Sequence, residues 1–218
     1  MQITLDNIIP VLSIPLGILG IGLFFAFLVF IAKYRSPKAK GKRGEASVSN
    51  MIESLANDIG GLVINDVIVP CNGKTTQIDH ILFCKRGIIV IETKNFSGRI
   101  YGDENSKYWT QTYRRSRKKY QHYNPVKQNE THINALKRIL GNKIEMKSVI
   151  IFVRGDINYI RSNKVFDIYG AKFYISKLPE ILNDDDVIRS YQKIKYYKDN
   201  PIATEQEHID DINERYPK

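Results

Sequence analysis

Apolar positions fall into three patterns along this chain: one long unbroken run, several short runs of strand length, and stripes at helical spacing. The unbroken run is Ile8 to Ala32, and no charged residue occurs from Asn7 to Ala32. A helix of about 25 residues rises roughly 37 Å, enough to cross a hydrocarbon core of roughly 30 Å with some tilt. Pro10 and Pro15 lie near its start, where a missing N–H costs least. After it comes the cationic stretch 33–43, KYRSPKAKGKR. A cleaved signal peptide would carry its positive charge before the apolar run, whereas here only Asp6 is charged ahead of it. Residues 1–32 therefore read as a single-pass anchor, with the N-terminus outside and the rest of the chain at the cytoplasmic face of the cell membrane. Residues 33–42 read as a basic linker able to rest on anionic headgroups.

Beyond the linker the periodicity changes. Ala46, Val48, Met51, Ile52, Leu55 and Ala56 form a helical stripe over Gly44 to Asp58, which Gly60-Gly61 ends. Leu62 to Val69, Gln77 to Cys84 and Gly87 to Lys94 are strand-like, and Gly98 to Tyr101 adds a short strand. Pro125 to Leu140 is a second helix, with proline at its first turn and Gly141 at its end. Lys147 to Val153 and Ala171 to Ile175 predict two more strands, and the residues after Pro179 read as polar helix. Such an order predicts an α/β fold, a mixed sheet flanked by helices. The globular domain is expected at 43–155, with 156–218 as an extension completing or flanking it.

Charge narrows the partners. With 33 Lys+Arg against 23 Asp+Glu the chain carries a net +10, which favours nucleic acid or an acidic lipid surface. The two cysteines, Cys71 and Cys84, lack metal spacing and suit a reducing compartment. The four histidines show no zinc pattern either.

One constellation carries chemistry. Asp79 lies within a strand, and Glu92-Thr93-Lys94 ends the next. Strand alternation turns Glu92 and Lys94 to one face. The intervening residues suffice for the chain to turn back at Lys85-Arg86-Gly87, which would bring two carboxylates and an ammonium together. Hard oxygen donors of this kind suit Mg²⁺ or Mn²⁺. Glu45, at the start of the first helix, is a candidate third carboxylate or simply an acid at a helix N-terminus. Gln128 and His132 share a helix face four residues apart, either at the site or on an exposed polar face. His80 is expected to be a packed or turn-supporting histidine.

These residues stand in an ordered series: Gly-Lys-Arg-Gly-Glu45, Asn65-Asp66, Thr76-Gln-Ile-Asp79-His80, Gly87 to Asn95, Gly98-x-Ile100, Trp109, and Asn124-Pro125-x-x-Gln128-Asn129. The series resembles the nuclease-related domain family, NERD, a distant relative of the PD-(D/E)xK nucleases, over about residues 41–153. The resemblance implies a restriction-endonuclease-like αβββαβ core. It also implies an active-site set of Glu45, Asp79, Glu92, Lys94 and Gln128, with Asp79, Glu92 and Glu45 as metal ligands. The proline of the PD dipeptide is absent, since Ile78 precedes Asp79.

Tyr113 to Tyr120, YRRSRKKY, places Arg114, Arg115, Arg117, Lys118 and Lys119 between two tyrosines. Nucleic-acid phosphates, membrane headgroups and plain solvent are the competing partners for it, with Trp109 and Tyr123 available for base stacking if the first holds. The resulting expectation is a membrane-anchored, Mg²⁺- or Mn²⁺-dependent nuclease hydrolysing DNA. The alternative is a catalytically silent nuclease-fold module that binds DNA or a protein.

Overall fold

In a computed structural model, residues 36–215 are described, together with Leu28, Val29, Ile31 and Lys33. The expected anchor otherwise lies outside the described residues, among which no helix is long and apolar enough to cross a membrane. The chain divides into two compact units, residues 1–43 and 44–218.

The first described element is helix α1 (Pro37–Ile59), so the basic stretch is not wholly a linker: it becomes helical from Pro37. Proline is tolerated in a helix's first turn, and Gly41 and Gly44 are carried within the helix at roughly 1 kcal/mol each. Strands β1 (Leu62–Cys71), β2 (Lys74–Cys84) and β3 (Gly87–Asp103) follow, then β4 (Tyr108–Tyr113) and β5 (Ser116–Tyr123). Helix α2 (Pro125–Leu140), β6 (Met146–Arg161) and β7 (Val165–Asp167) come next. Three helices end the described chain: α3 (Ile168–Lys177), α4 (Asp184–Asp199) and α5 (Glu205–Arg215).

All seven strands join one mixed sheet. The path β1-β2-β3-β4-β5 is antiparallel throughout, whereas β6 runs parallel to β3 and β7 parallel to β6. The long strand β3 organises the rest. Its first half pairs with β2 through Ile91, and its second half pairs with the β4–β5 hairpin at Arg99 to Tyr101.

Apolar residues occupy both faces. Val48, Ile52 and Leu55 of α1, with Ala171 and Ile175 of α3, pack on Leu82, Ile89, Ile91, Val149 and Ile151. Each fully buried aliphatic of this kind contributes roughly 1.5–3 kcal/mol relative to exposure. The opposite face carries Ile78, Ile81, Phe83, Ile88 and Val90 beneath Ala135 and Leu136 of α2 and Val187 and Ile194 of α4. The C-terminal residues thus complete both helical layers of the same domain.

Two sequence expectations need correction. Ala171 to Ile175 is helical, not a strand: Asp167 caps Gly170 N, and Ala171 and Ile175, four apart, are buried while Phe173 is exposed. The segment Gly98 to Tyr101 is the continuation of β3 rather than a separate strand.

His80 shows how a packed polar residue ties the layers together. It is buried, and its Nδ1 lies 2.8 Å from Asn65 Oδ1. Asn65 in turn donates to Ser49 and Glu53 of α1. Burial, opposed by the charges of Glu92, Asp66 and Glu53, brings the imidazole down from 6.5 to about 4. A depressed histidine favours the neutral form in the folded state, so its contribution to stability is lost as pH falls from 6.5 towards 4. Replacing His80 with glutamine is expected to flatten the acid limb of a Tm-versus-pH curve across that window. An unchanged slope would remove His80 as its cause.

Candidate active site

The site begins where two strands part. The β2–β3 ladder ends at the pair His80–Ile91, and the next residues outward are Asp79 and Glu92. Past that fork Thr93 N no longer serves the β2 ladder and donates instead to Asp79 Oδ2 at 2.8 Å. Asp79 and the Glu92–Lys94 edge are thereby fixed to each other by the backbone itself.

Lys94 Nζ lies 2.5 Å from Glu92 Oε1 and 3.0 Å from Gln128 Oε1 on α2. Helix α2 is set in place by Asn124, which accepts from Val126 N, and by Asn129, which donates to the carbonyl of Val90 on β3. The other oxygen of Glu92 meets His132 Nε2 at 3.1 Å, and His132 Nδ1 meets Thr76 Oγ1 at 2.9 Å. Glu92 is 2% exposed and His132 3%, so both oxygens of a buried carboxylate are held by neighbours. Glu45 on α1 lies near enough to act on the charges of both Asp79 and Lys94.

Five residues singled out in the sequence, Glu45, Asp79, Glu92, Lys94 and Gln128, therefore belong to one neighbourhood. His132 joins them, not on an exposed polar face but between Thr76 and Glu92. Its spacing from Gln128 was the available signal, while Thr76 stood in the Thr76-Gln-Ile-Asp79-His80 motif with no role assigned to it.

The two strand carboxylates have opposite electrostatics. Desolvation, then repulsion from Glu92, pushes the Asp79 carboxyl well above its ordinary range, against the pull of Lys94 and the Thr93 amide. Burial would also raise Glu92, but the Lys94 ammonium and His132 outweigh it and hold the carboxyl at about 2. Burial works against the Lys94 ammonium, yet Glu92 and Asp79 outweigh it and raise its pKa. Glu92 and Lys94 thus neutralise one another, and Asp79 is left short of positive charge.

This charge pattern bears on metal binding. Among the described residues no group of three or more His, Cys, Asp and Glu side chains stands ready to hold an ion. The donor chemistry nevertheless suits a hard cation. Asp79 is an oxygen donor whose ionised form is disfavoured by burial and then by Glu92, with Glu45 as a further carboxylate nearby.

The basic segment lies on the β4–β5 hairpin. Arg114 and Arg115 form its turn, Arg117, Lys118 and Lys119 lie on β5, and all five are exposed. The base of the hairpin reaches the site: His122 Nε2 lies 2.8 Å from Gln111 Oε1, His122 stacks on Phe96, and its imidazole is lowered by burial and then by the Lys94 charge. Trp109, expected to be available for stacking, is instead 1% exposed and packs on Phe152. Its Nε1 donates to the carbonyl of Asp103.

Comparison with known proteins agrees with the resemblance seen in the sequence. The model of the nuclease-related domain matches residues 40–153, a little over half of the chain. The chain belongs to the NERD family. The NERD match takes in Glu45, Asp79, Glu92, Lys94 and Gln128, together with the whole β4–β5 hairpin. An uncharacterized protein of Bacillus anthracis is 37% identical over 122 residues, covering 56% of this chain and 57% of that protein. The chain thus matches little more than half the length of that relative. No solved structure matches.

Proposed function

We propose that this NERD protein is a metal-dependent nuclease hydrolysing DNA phosphodiester bonds, held by residues 8–32 at the cytoplasmic face of a membrane. The observation that carries this reading is the strand fork, which sets Asp79 beside Glu92 and Lys94 and ties it to the Thr93 amide. The helix-strand order, with β4–β5 inserted ahead of α2, is compatible with a restriction-endonuclease-like αβββαβ core.

Asp79, Glu92 and Glu45 would hold Mg²⁺ or Mn²⁺, which when bound neutralises phosphate charge and acidifies a coordinated water. Lys94 supplies a fixed ammonium that can donate to a phosphate oxygen or orient the attacking water. Gln128 accepts from that ammonium and so fixes its direction. His132 anchors the far oxygen of Glu92, leaving the carboxylate a single orientation. The exposed cations of Arg114, Arg115, Arg117, Lys118 and Lys119 are suited to backbone phosphates.

One observation favours the silent-module alternative: both Glu92 oxygens are already engaged, so metal binding requires Lys94 or His132 to yield one. The test uses the full chain with plasmid, linear and single-stranded DNA in Mg²⁺, Mn²⁺ or EDTA. Cutting that needs the metal and vanishes in Asp79→Ala/Glu92→Ala is the expected result. Salt-sensitive DNA retention without cutting would transfer the assignment to the binding module.

A further inference from the structure

Beyond the carboxylate site, the outer half of the sheet presents a second feature. Four neighbouring strands, in the order β6-β3-β4-β5, each contribute one exposed tyrosine to a shared face, Tyr159, Tyr101, Tyr108 and Tyr123, while Tyr120, also exposed, pairs with Gln111 on the other face of β5. Register puts all four on one face. Tyr101 pairs in the parallel ladder with Tyr159, and their rings lie 4.7 Å apart. Across β4, Tyr101 stands opposite Thr110, two residues from Tyr108, and Tyr108 stands opposite Tyr123 with ring centroids 6.3 Å apart. Gly102 confirms the sidedness. A Cβ there would fall 2.4 Å from the Trp109 ring, so Gly102 and Trp109 share the buried face and Tyr101 and Tyr108 the opposite one.

Charge accompanies the rings. Arg99 lies over Tyr159 and Lys107 over Tyr108. Arg99, Thr112 and Lys119 form one row across β3, β4 and β5, with Arg161 beside Asp103 at the end of β3. The acids nearby are engaged: Asp103 accepts from Asn105 and Ser106, and Asp156 lies 3.9 Å from Arg99.

The geometry points to a binding platform for unpaired nucleic acid, with Tyr101, Tyr108, Tyr123 and Tyr159 stacking bases and Arg99, Lys107, Lys119 and Arg161 meeting phosphates. Planar rings on a flat strand face, flanked by cations, suit bases whose faces are free. A duplex hides those faces and would engage only the charges. Tyrosine also suits a headgroup interface, but the same face of β4 and β5 carries Thr110, Thr112, Lys119 and Gln121, with no aliphatic side chain to enter the acyl region of a bilayer. The platform takes its ligand class from the nuclease reading, but binding in the absence of metal tests it separately from hydrolysis.

The experiment measures fluorescence anisotropy of a labelled oligothymidylate and of a duplex of equal length, with the full chain in detergent and EDTA. The single strand is expected to bind about tenfold tighter or more. Tyr101→Thr/Tyr108→Thr, which keeps strand-forming residues, should lose about thirtyfold for the single strand and little for the duplex. Tyr101→Phe/Tyr108→Phe should retain binding, since it keeps the rings, and an unchanged Tm reports that each variant folds. Arg99→Gln should reduce the salt slope by roughly 0.7. Equal affinity for both ligands, or parent-like binding by the threonine variant, overturns the platform. If, in a parallel flotation assay with anionic phosphatidylserine vesicles, the threonine variant lost vesicle binding alone, the platform would be overturned in favour of a lipid surface.

Discussion

Asp79→Asn is expected to abolish metal-dependent cleavage, by about a thousandfold or roughly 4 kcal/mol of transition-state stabilisation, while making the metal-free protein slightly more stable. The two effects share one cause. Asp79 is raised because its charge is poorly solvated and lies beside Glu92. An acid raised in the folded state holds its proton longer there than in the unfolded chain. Stability therefore falls as pH climbs from the unfolded value through the raised one. Asparagine removes that penalty, and its side-chain oxygen can still accept from Thr93 N.

The Tm of Asp79→Asn should accordingly match the parent in acid, below the ordinary carboxylate range, and exceed it by a few degrees at neutral pH. Mg²⁺ should raise the parent's Tm by mass action and leave the variant's unmoved. A variant that melts several degrees lower than the parent at neutral pH would mean Asp79 holds the strand fork together. Its proposed place as a metal ligand would then fail.

Much of this was legible in the residues. Period-2 strands and the stripe at Val48, Ile52 and Leu55 set the two-faced sheet, because burial on each face is dictated locally by spacing. Asp79 and Glu92 could be brought together because the Lys85-Arg86 corner lets one apolar strand turn back on the next, which is the pairing observed from Cys84–Gly87 to His80–Ile91. What the sequence hid depended on contacts from distant segments. Ala171 to Ile175 has a strand-like composition and becomes helical because the Asp167 cap and the α1-side core select a period of four. His132 could be read either at the site or on an exposed face beside Gln128, since its partners, Thr76 and Glu92, lie far off in sequence. Trp109 looked like a stacking residue until Gly102 left space for its ring. The tyrosine face was hidden for the same reason: the parallel β3–β6 ladder alone brings Tyr101 and Tyr159 together.

Glu92→Gln should act in the opposite direction to Asp79→Asn, although both replace a carboxylate by its amide. Glu92 is the buried partner of Lys94, and deleting one member of such a pair leaves the other uncompensated. Glutamine can still accept from Lys94 and can meet His132, and Asp79 remains as a second counter-charge for the ammonium. The expected loss therefore sits at the low end for a broken buried pair, roughly 3 kcal/mol, or about 6–12 °C in Tm for a domain of this size. Its pH dependence follows from the Glu92 value of about 2, set against 4.5 for an ordinary glutamate. A depressed acid contributes its full stabilisation above 4.5 and loses it as pH falls towards 2. The Tm gap between parent and Glu92→Gln should thus be widest at neutral pH and close on acidification through that window. Asp79→Asn in the Glu92→Gln background should no longer stabilise, because Asp79 has become the principal partner of Lys94. A gap independent of pH, or a double variant more stable than Glu92→Gln alone, would show that the two carboxylates do not compete for one ammonium.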